Sequence, residues 1–190
     1  ERISVLLGKF VGQKFNDITI TEVRRQYEIS YGDLGKRKAD IAVLIEGGKP
    51  LVIIETKKKY EVKGFKARRR FIASSDEVVG QVFAYAAILK KNGVHVPFVA
   101  TANDSQIVVF EVPEDIDKHV NWGAIEERNY AMVLPKTYLY EVLRERHHLR
   151  HTRIRFAEDF FRELLDTLTG IYVKKYRFEE KKQEPHWALI

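Results

Sequence analysis

Residues 39–45 read Ala-Asp-Ile-Ala-Val-Leu-Ile, and residues 50–57 read Pro-Leu-Val-Ile-Ile-Glu-Thr-Lys. Both are short apolar runs rich in β-branched residues, and Gly47-Gly48 between them is a hairpin signal. A two-residue turn at the glycines pairs Glu46 with Lys49, so that facing residues sum to 95 in number. Asp40 and Glu55 then stand opposite each other across the ladder, on one side of the sheet. Lys57 lies two residues past Glu55 and returns to that side, whereas Thr56 points away. Two carboxylates and an ammonium therefore converge at the end of the hairpin remote from its turn. Hard oxygen ligands in that arrangement suit Mg²⁺, and the neighbouring lysine suits phosphodiester hydrolysis.

Around this hairpin the chain has the makings of one α/β domain. Its 190 residues can bury a real core. A 45% hydrophobic and 32% charged composition is ordinary for a globular protein in water. No run approaches the roughly 20 apolar residues of a membrane span, and none has the form of a signal peptide. The absence of cysteine excludes a disulfide framework, thiolate metal sites and a Cys nucleophile. It agrees with a cytoplasmic location. Glu1 leads straight into an amphipathic run (Ile3, Val5, Leu6, Leu7, Phe10, Val11), which reads as a piece of something longer.

The charge is concentrated. Residues 57–70, KKKYEVKGFKARRR, hold eight basic side chains against Glu61 alone, while the whole chain carries +6. Everything outside this segment therefore sums to −1. A solvated charge run is the bland alternative. Directly after Lys57, the segment reads instead as a strip for the backbone of polyanionic DNA or RNA, with Lys58, Lys59, Lys63, Lys66, Arg68, Arg69 and Arg70 as contacts.

The apolar spacing predicts a helix over about residues 2–12 and short strands over 18–20 and 26–30. The basic segment reads as a loop or a poorly periodic helix start. Ser74-Ser75-Asp76-Glu77 offers N-cap chemistry for a helix over about 76–91, which Asn92-Gly93 ends. Strands at about 96–101 and 106–112 flank Asn103-Asp104, a second hairpin signal. From about Lys136 the pattern is helical. The expected architecture is α/β, a central mixed sheet flanked by helices. Residues 1–135 would form the main domain, and 136–190 a helical extension or the start of the next one.

An Asp…Glu-x-Lys pattern is weak alone, because a cross-strand surface pair produces it too. Three features strengthen it here. Lys36-Arg37-Lys38 precede the aspartate, the apolar Leu51–Ile54 run precedes the glutamate, and the following helix carries Gln81 and Tyr85 four apart on one face. With Asp40, Glu55-Thr56-Lys57 and Gln81-Val82-Phe83-Ala84-Tyr85, the chain resembles the PD-(D/E)xK nuclease superfamily. Within it, the chain is similar to the N-terminal nuclease domain of type I restriction enzyme R subunits, over about residues 15–112. The Gln-x-x-x-Tyr motif is shared with RecB-like nucleases.

The resemblance implies a restriction-endonuclease-like fold and a Mg²⁺-dependent DNA endonuclease of restriction–modification type, acting on double-stranded DNA. Asp40, Glu55 and the Thr56 carbonyl would bind metal, Lys57 would be catalytic, and Gln81 and Tyr85 would assist. Ala39 stands where the superfamily has proline. A further acidic ligand from the first helix is common in such proteins, and Glu1, Glu22 and Glu28 are candidates. R subunits also contain an ATP-driven translocase, of which no Walker-type loop is present here. Translocase, methylase and specificity functions would then lie in further domains or subunits. A RecB-like or junction-resolving repair nuclease is the alternative within the same chemistry. A non-catalytic DNA-binding module of the same fold is the alternative outside it.

His147, His148 and His151 include a pair four apart, but Arg144, Arg146, Arg150, Arg153 and Arg155 surround them. Cations on all sides disfavour a zinc ion, and an exposed basic helix is the expectation there. Trp122 and Trp187 read as packing residues.

Overall fold

The computed structural model describes residues 2–57, 60–63, 67–70, 75–103, 106–144, 147–150 and 157–177. The diagnostic hairpin is present, with strands β3 (Lys36–Ile45) and β4 (Lys49–Thr56). Its turn differs from the expected one: three residues, Glu46–Gly48, make the reversal. Gly47 and Gly48 have φ of +81° and +70°, a region that disfavours any residue with a Cβ. Ile45 pairs with Lys49 and Leu44 with Pro50, one residue out of the expected register. A bulge at Leu51 then restores it, so that Val43 faces Val52 and Ile41 faces Ile54. Pro50 has no N–H to give the ladder, and a bulge beside it is a natural accommodation. The two one-residue departures cancel, and the register still carries Asp40 to the level of Glu55.

β3 and β4 occupy the middle of a seven-stranded sheet. Its order is β1 (Lys14–Phe15), β2 (Ile18–Ser30), β3, β4, β7 (Phe98–Ala102), β8 (Gln106–Glu111), β9 (His147–Arg150). β4 and β7 are parallel, and the other neighbours are antiparallel. The stretches expected as separate strands at 18–20 and 26–30 are one 13-residue strand. It stays paired to β3 by bulging at Thr21, whose hydroxyl donates to the Ile45 carbonyl at 3.1 Å.

Each face of the sheet carries its own apolar cluster. Ala42, Leu44, Ile53, Val99 and Val108 face α2 (Asp76–Lys91). Ile41, Val43, Val52, Ile54 and Ala100 face α1 (Arg2–Gly8) and α5 (Glu158–Tyr172). The helix over 2–12 is thus shorter than expected and ends in turns. α2 matches its expected bounds, although Ser75 makes no side-chain capping bond. It supplies the crossover that parallel strands require. Its buried positions run almost without a break from Val78 to Leu89. One side lies on the sheet, and residues 116–134, including α3 (Trp122–Glu126), cover another. At Gly80 the approach leaves no room for a side chain: a Cβ there would stand 1.9 Å from the Tyr130 carbonyl oxygen.

Two expectations fall on the basic segments. Within residues 57–70, two described stretches are strands and not loop or helix: β5 (Tyr60–Lys63) and β6 (Ala67–Arg70) pair antiparallel as a small second sheet. The C-terminal part is not wholly helical either. After α4 (Lys136–Arg144), residues His147–Arg150 form β9 and pair along β8. The backbone groups of β8 on that side need partners, and this requirement outweighs helical spacing in the region. The basic helix expected across 144–155 is therefore absent from the described residues, and Arg146, His151, Arg153 and Arg155 lie outside them. β9 and α5 belong to the same sheet and core as the first 135 residues.

Candidate active site

Where β3 and β4 meet β7, the hairpin is tied together by its own acidic residues. The Thr56 N–H donates to Asp40 Oδ2 at 2.8 Å, and the Thr56 hydroxyl donates to the same oxygen at 2.9 Å. In the reverse direction, the Asp40 N–H donates to Glu55 Oε2 at 3.3 Å. Lys57 Nζ stands 3.8 Å from Glu55 Oε1, and its N–H continues the parallel ladder to the Ala102 carbonyl at 2.9 Å. Asp40, Glu55 and Lys57 are thus brought together as the register requires.

Thr56 is different from its expectation. Strict alternation turns its side chain away from Asp40, yet its hydroxyl binds that carboxylate. The pleat slips at this level: Ala39 and Ala42 lie in one core and Ile41 between them in the other. On β2, Gln26 has a φ of +52° between the pairs Arg25–Ile41 and Tyr27–Ala39. Asp40 leans along the hairpin towards Thr56 because of this irregularity. No sequence pattern announced it.

The environment of Glu55 is hostile to a charge. The residue is only 4% exposed. Burial, and then the nearby Asp40 carboxylate, push its pKa up to about 8, against a smaller lowering by Lys57. In the metal-free protein Glu55 therefore holds a proton at neutral pH.

α2 presents Gln81 and Tyr85 to the same end of the sheet. Gln81 Nε2 donates to the Tyr85 hydroxyl at 2.8 Å. Burial, followed by the Glu55 charge, pushes the Tyr85 phenol far above its usual pKa, so it is a neutral hydrogen-bonding group. The ring of Tyr130 meets that of Tyr85 edge-on, with centroids 6.3 Å apart. Tyr130 was not singled out by sequence: it sits 45 residues beyond Tyr85 in a segment without a motif.

The remaining candidates scatter. Lys63, Arg68, Arg69 and Arg70 lie on the β5–β6 hairpin, while Lys58, Lys59 and Lys66 are outside the described residues. Glu22 is half-buried, bound to Arg24 at 2.8 Å and paired with Leu44, four residues along β3 from Asp40. Glu28 pairs with Lys36 at 3.2 Å, and Glu1 is outside the described residues. Among the described residues, no group of three His, Cys, Asp or Glu side chains is poised to hold a metal. Among the described residues, the carboxylates brought together at the hairpin end are Asp40 and Glu55. Arg37, from the basic stretch before Asp40, is buried and donates to the Ile125 carbonyl at 3.4 Å, so it serves packing. Trp122 stacks on Tyr31 at 5.9 Å as a packing residue, and Trp187 lies outside the described residues.

A mixed α/β sheet with an acidic pair, a lysine and a helical Gln–Tyr pair at one end can now be set beside known proteins. The family model that matches the chain places it in the class of restriction-enzyme domains. It belongs to the family described as type I restriction enzyme R protein N terminus, whose family model matches residues 15–118. Asp40, Glu55, Lys57, Gln81 and Tyr85 all fall inside that match. No curated protein matches. Among solved structures, the chain is similar to the type IIG restriction endonuclease BpuSI, with 14% identity and a TM-score of 0.38. The similarity covers 70% of this chain and 15% of that one. No helix among the described residues is long and apolar enough to cross a membrane.

Proposed function

We propose that this chain is a Mg²⁺-dependent DNA endonuclease domain with a restriction-endonuclease-like fold, working within a restriction–modification enzyme. The observation that carries the proposal is the Asp40–Glu55–Lys57 constellation: the Asp40 N–H donates to Glu55, the Asp40 carboxylate lies close enough to push up the nearly water-excluded Glu55 carboxyl, and the Lys57 ammonium stands 3.8 Å from Glu55. Without a cation the pair keeps a proton on Glu55, and a small divalent ion with oxygen preference fits in that proton's place. Asp40, Glu55 and the Thr56 carbonyl would hold the ion. When bound, Mg²⁺ would polarise the phosphoryl group, lower the pKa of a water and stabilise the leaving oxygen.

The protein's own groups do the rest. Thr56 fixes Asp40 through both its N–H and its hydroxyl, which preorganises that carboxylate. Lys57, about one-third exposed, can orient the attacking water and offset negative charge on the phosphate. Gln81 and Tyr85 add neutral polar groups above Glu55. Double-stranded DNA is the proposed substrate, and further domains or subunits would supply site choice and translocation. A cytoplasmic location follows from that role.

Incubating the purified chain with supercoiled plasmid tests the proposal. Slow nicking that requires Mg²⁺, stops with chelator and has no preferred site is expected. A preparation that binds duplex DNA but never cuts it would favour the non-catalytic alternative.

The β5–β6 hairpin follows Lys57 within three residues and carries Lys63, Arg68, Arg69 and Arg70. Changing these four residues to Gln should weaken binding to unrelated duplexes equally. The slope of log affinity against log salt should flatten by about 0.9 for each phosphate that is no longer neutralised. An unchanged slope would move the DNA path away from this hairpin.

A further inference from the structure

Tyr130 lies beyond the family match at 15–118, yet the fold delivers it to the Gln81–Tyr85 pair with unusual closeness. Its carbonyl oxygen sits where a Cβ on residue 80 would be, so only glycine admits it against α2. This contact is immediately before Gln81. Its ring then lies edge-on to Tyr85. The segment is held on both sides. The Asn129 N–H donates to the Ala124 carbonyl at 2.9 Å, and the Val133 N–H donates to the Tyr130 carbonyl at 3.2 Å. Val133 and Leu134 are buried in the α2-side core.

The polar atoms have a direction. Gln81 donates to the Tyr85 hydroxyl, so that oxygen is an acceptor and its own proton must point elsewhere. The Tyr130 hydroxyl is near enough to help keep that proton on Tyr85. Tyr85 is buried, whereas Tyr130 is half-exposed. Tyr130 therefore sets a partly exposed phenol edge-on against the Gln81–Tyr85 pair.

We propose that Tyr130 is a third polar member of this site, its hydroxyl donating to a non-bridging oxygen of the DNA backbone beside the carboxylate pair. The proposal rests on the nuclease reading and deepens it by adding a substrate contact from outside the family-matched residues. Gly80 is part of the same device, because it seats Tyr130.

Tyr130→Phe tests the hydroxyl while keeping the ring contact with Tyr85. Its Mg²⁺-dependent cleavage should fall by about tenfold to a hundredfold in kcat/KM, the range for a hydrogen bond to a charged oxygen. Its binding to a short duplex, measured with Ca²⁺ in place of Mg²⁺, should weaken several-fold. Its Tm should match the wild type, and its salt slope should be unchanged because no charge is removed. Combined with Tyr85→Phe, the losses should be well below additive, as expected for groups in contact. If Tyr130→Phe cuts and binds like the wild type, and only Tyr130→Ala with a lowered Tm loses activity, Tyr130 is a packing residue and the inference falls alone. A wild type that neither binds nor cuts duplex DNA would overturn the nuclease reading and this inference together. A wild type that binds without cutting still decides the matter through the affinity of Tyr130→Phe.

Discussion

Asp40→Ala, Glu55→Ala and Lys57→Ala should each abolish Mg²⁺-dependent DNA cleavage, with a loss of at least about a thousandfold. The three residues act as a unit, so any pair of changes should cost little more than one. The mechanism distinguishes them. Removing Asp40 deprives the site of the carboxylate that Thr56 fixes at 2.8 Å and 2.9 Å. Removing Glu55 takes away the buried partner, and both changes should weaken Mg²⁺ binding itself. Removing Lys57 leaves the carboxylate pair whole, so metal affinity should persist while turnover is lost. Thr56→Val is the graded control: it deletes the hydroxyl bond, keeps the N–H bond, and should reduce cleavage by about tenfold. Circular dichroism and Tm measurements on each variant separate these outcomes from unfolding. Cleavage that survives all three alanine changes would place the active centre elsewhere.

The hairpin was legible in the sequence because its physics is local. β-branched runs, a glycine pair and period-2 alternation brought Asp40 level with Glu55, even though the turn and the bulge at Leu51 each departed by one residue. α2 was legible for the same reason: its apolar period and its Asn92-Gly93 stop lie within the element. What escaped was decided by distant partners. Thr56 reaches Asp40 because the pleat slips opposite Gln26, a feature of strand pairing between β2 and β3. His147–Arg150 becomes a strand because β8 offers an unpaired edge, and nothing in those four residues announces it. Tyr130 reaches the site because Gly80 permits contact across 50 positions of chain. Charge density marked residues 57–70 as a unit, but their antiparallel pairing follows from Tyr60–Lys63 and Ala67–Arg70 being near enough to form a hairpin.

Glu55 should also make the metal-free protein less stable as pH rises. Its carboxyl has a folded pKa of about 8, against an ordinary 4.5, through burial first and Asp40 second. Below about pH 4.5 both folded and unfolded chains hold the proton, and Glu55 contributes no pH dependence. Between 4.5 and 8 the folded chain alone holds it, so stability falls by up to about 1.4 kcal/mol per unit. Above 8 the effect levels off, after a total loss on the order of a few kcal/mol. His95 works in the opposite direction below about pH 6.5, because burial lowers its pKa. Comparing wild type with Glu55→Gln at each pH removes that contribution. The variant should be inactive yet more stable than the metal-free wild type at pH 8, and the two should converge near pH 4.5. Mg²⁺ requires the ionised carboxylate, so its binding at pH 7 should release close to one proton. Its apparent affinity should rise by up to tenfold per unit until about pH 8 and then flatten. Titration calorimetry in two buffers of different ionisation enthalpy counts the proton directly. Release of none at pH 7, with a constant affinity from pH 6 to 9, would show that Glu55 is already ionised and that no proton competes with the metal at this pair.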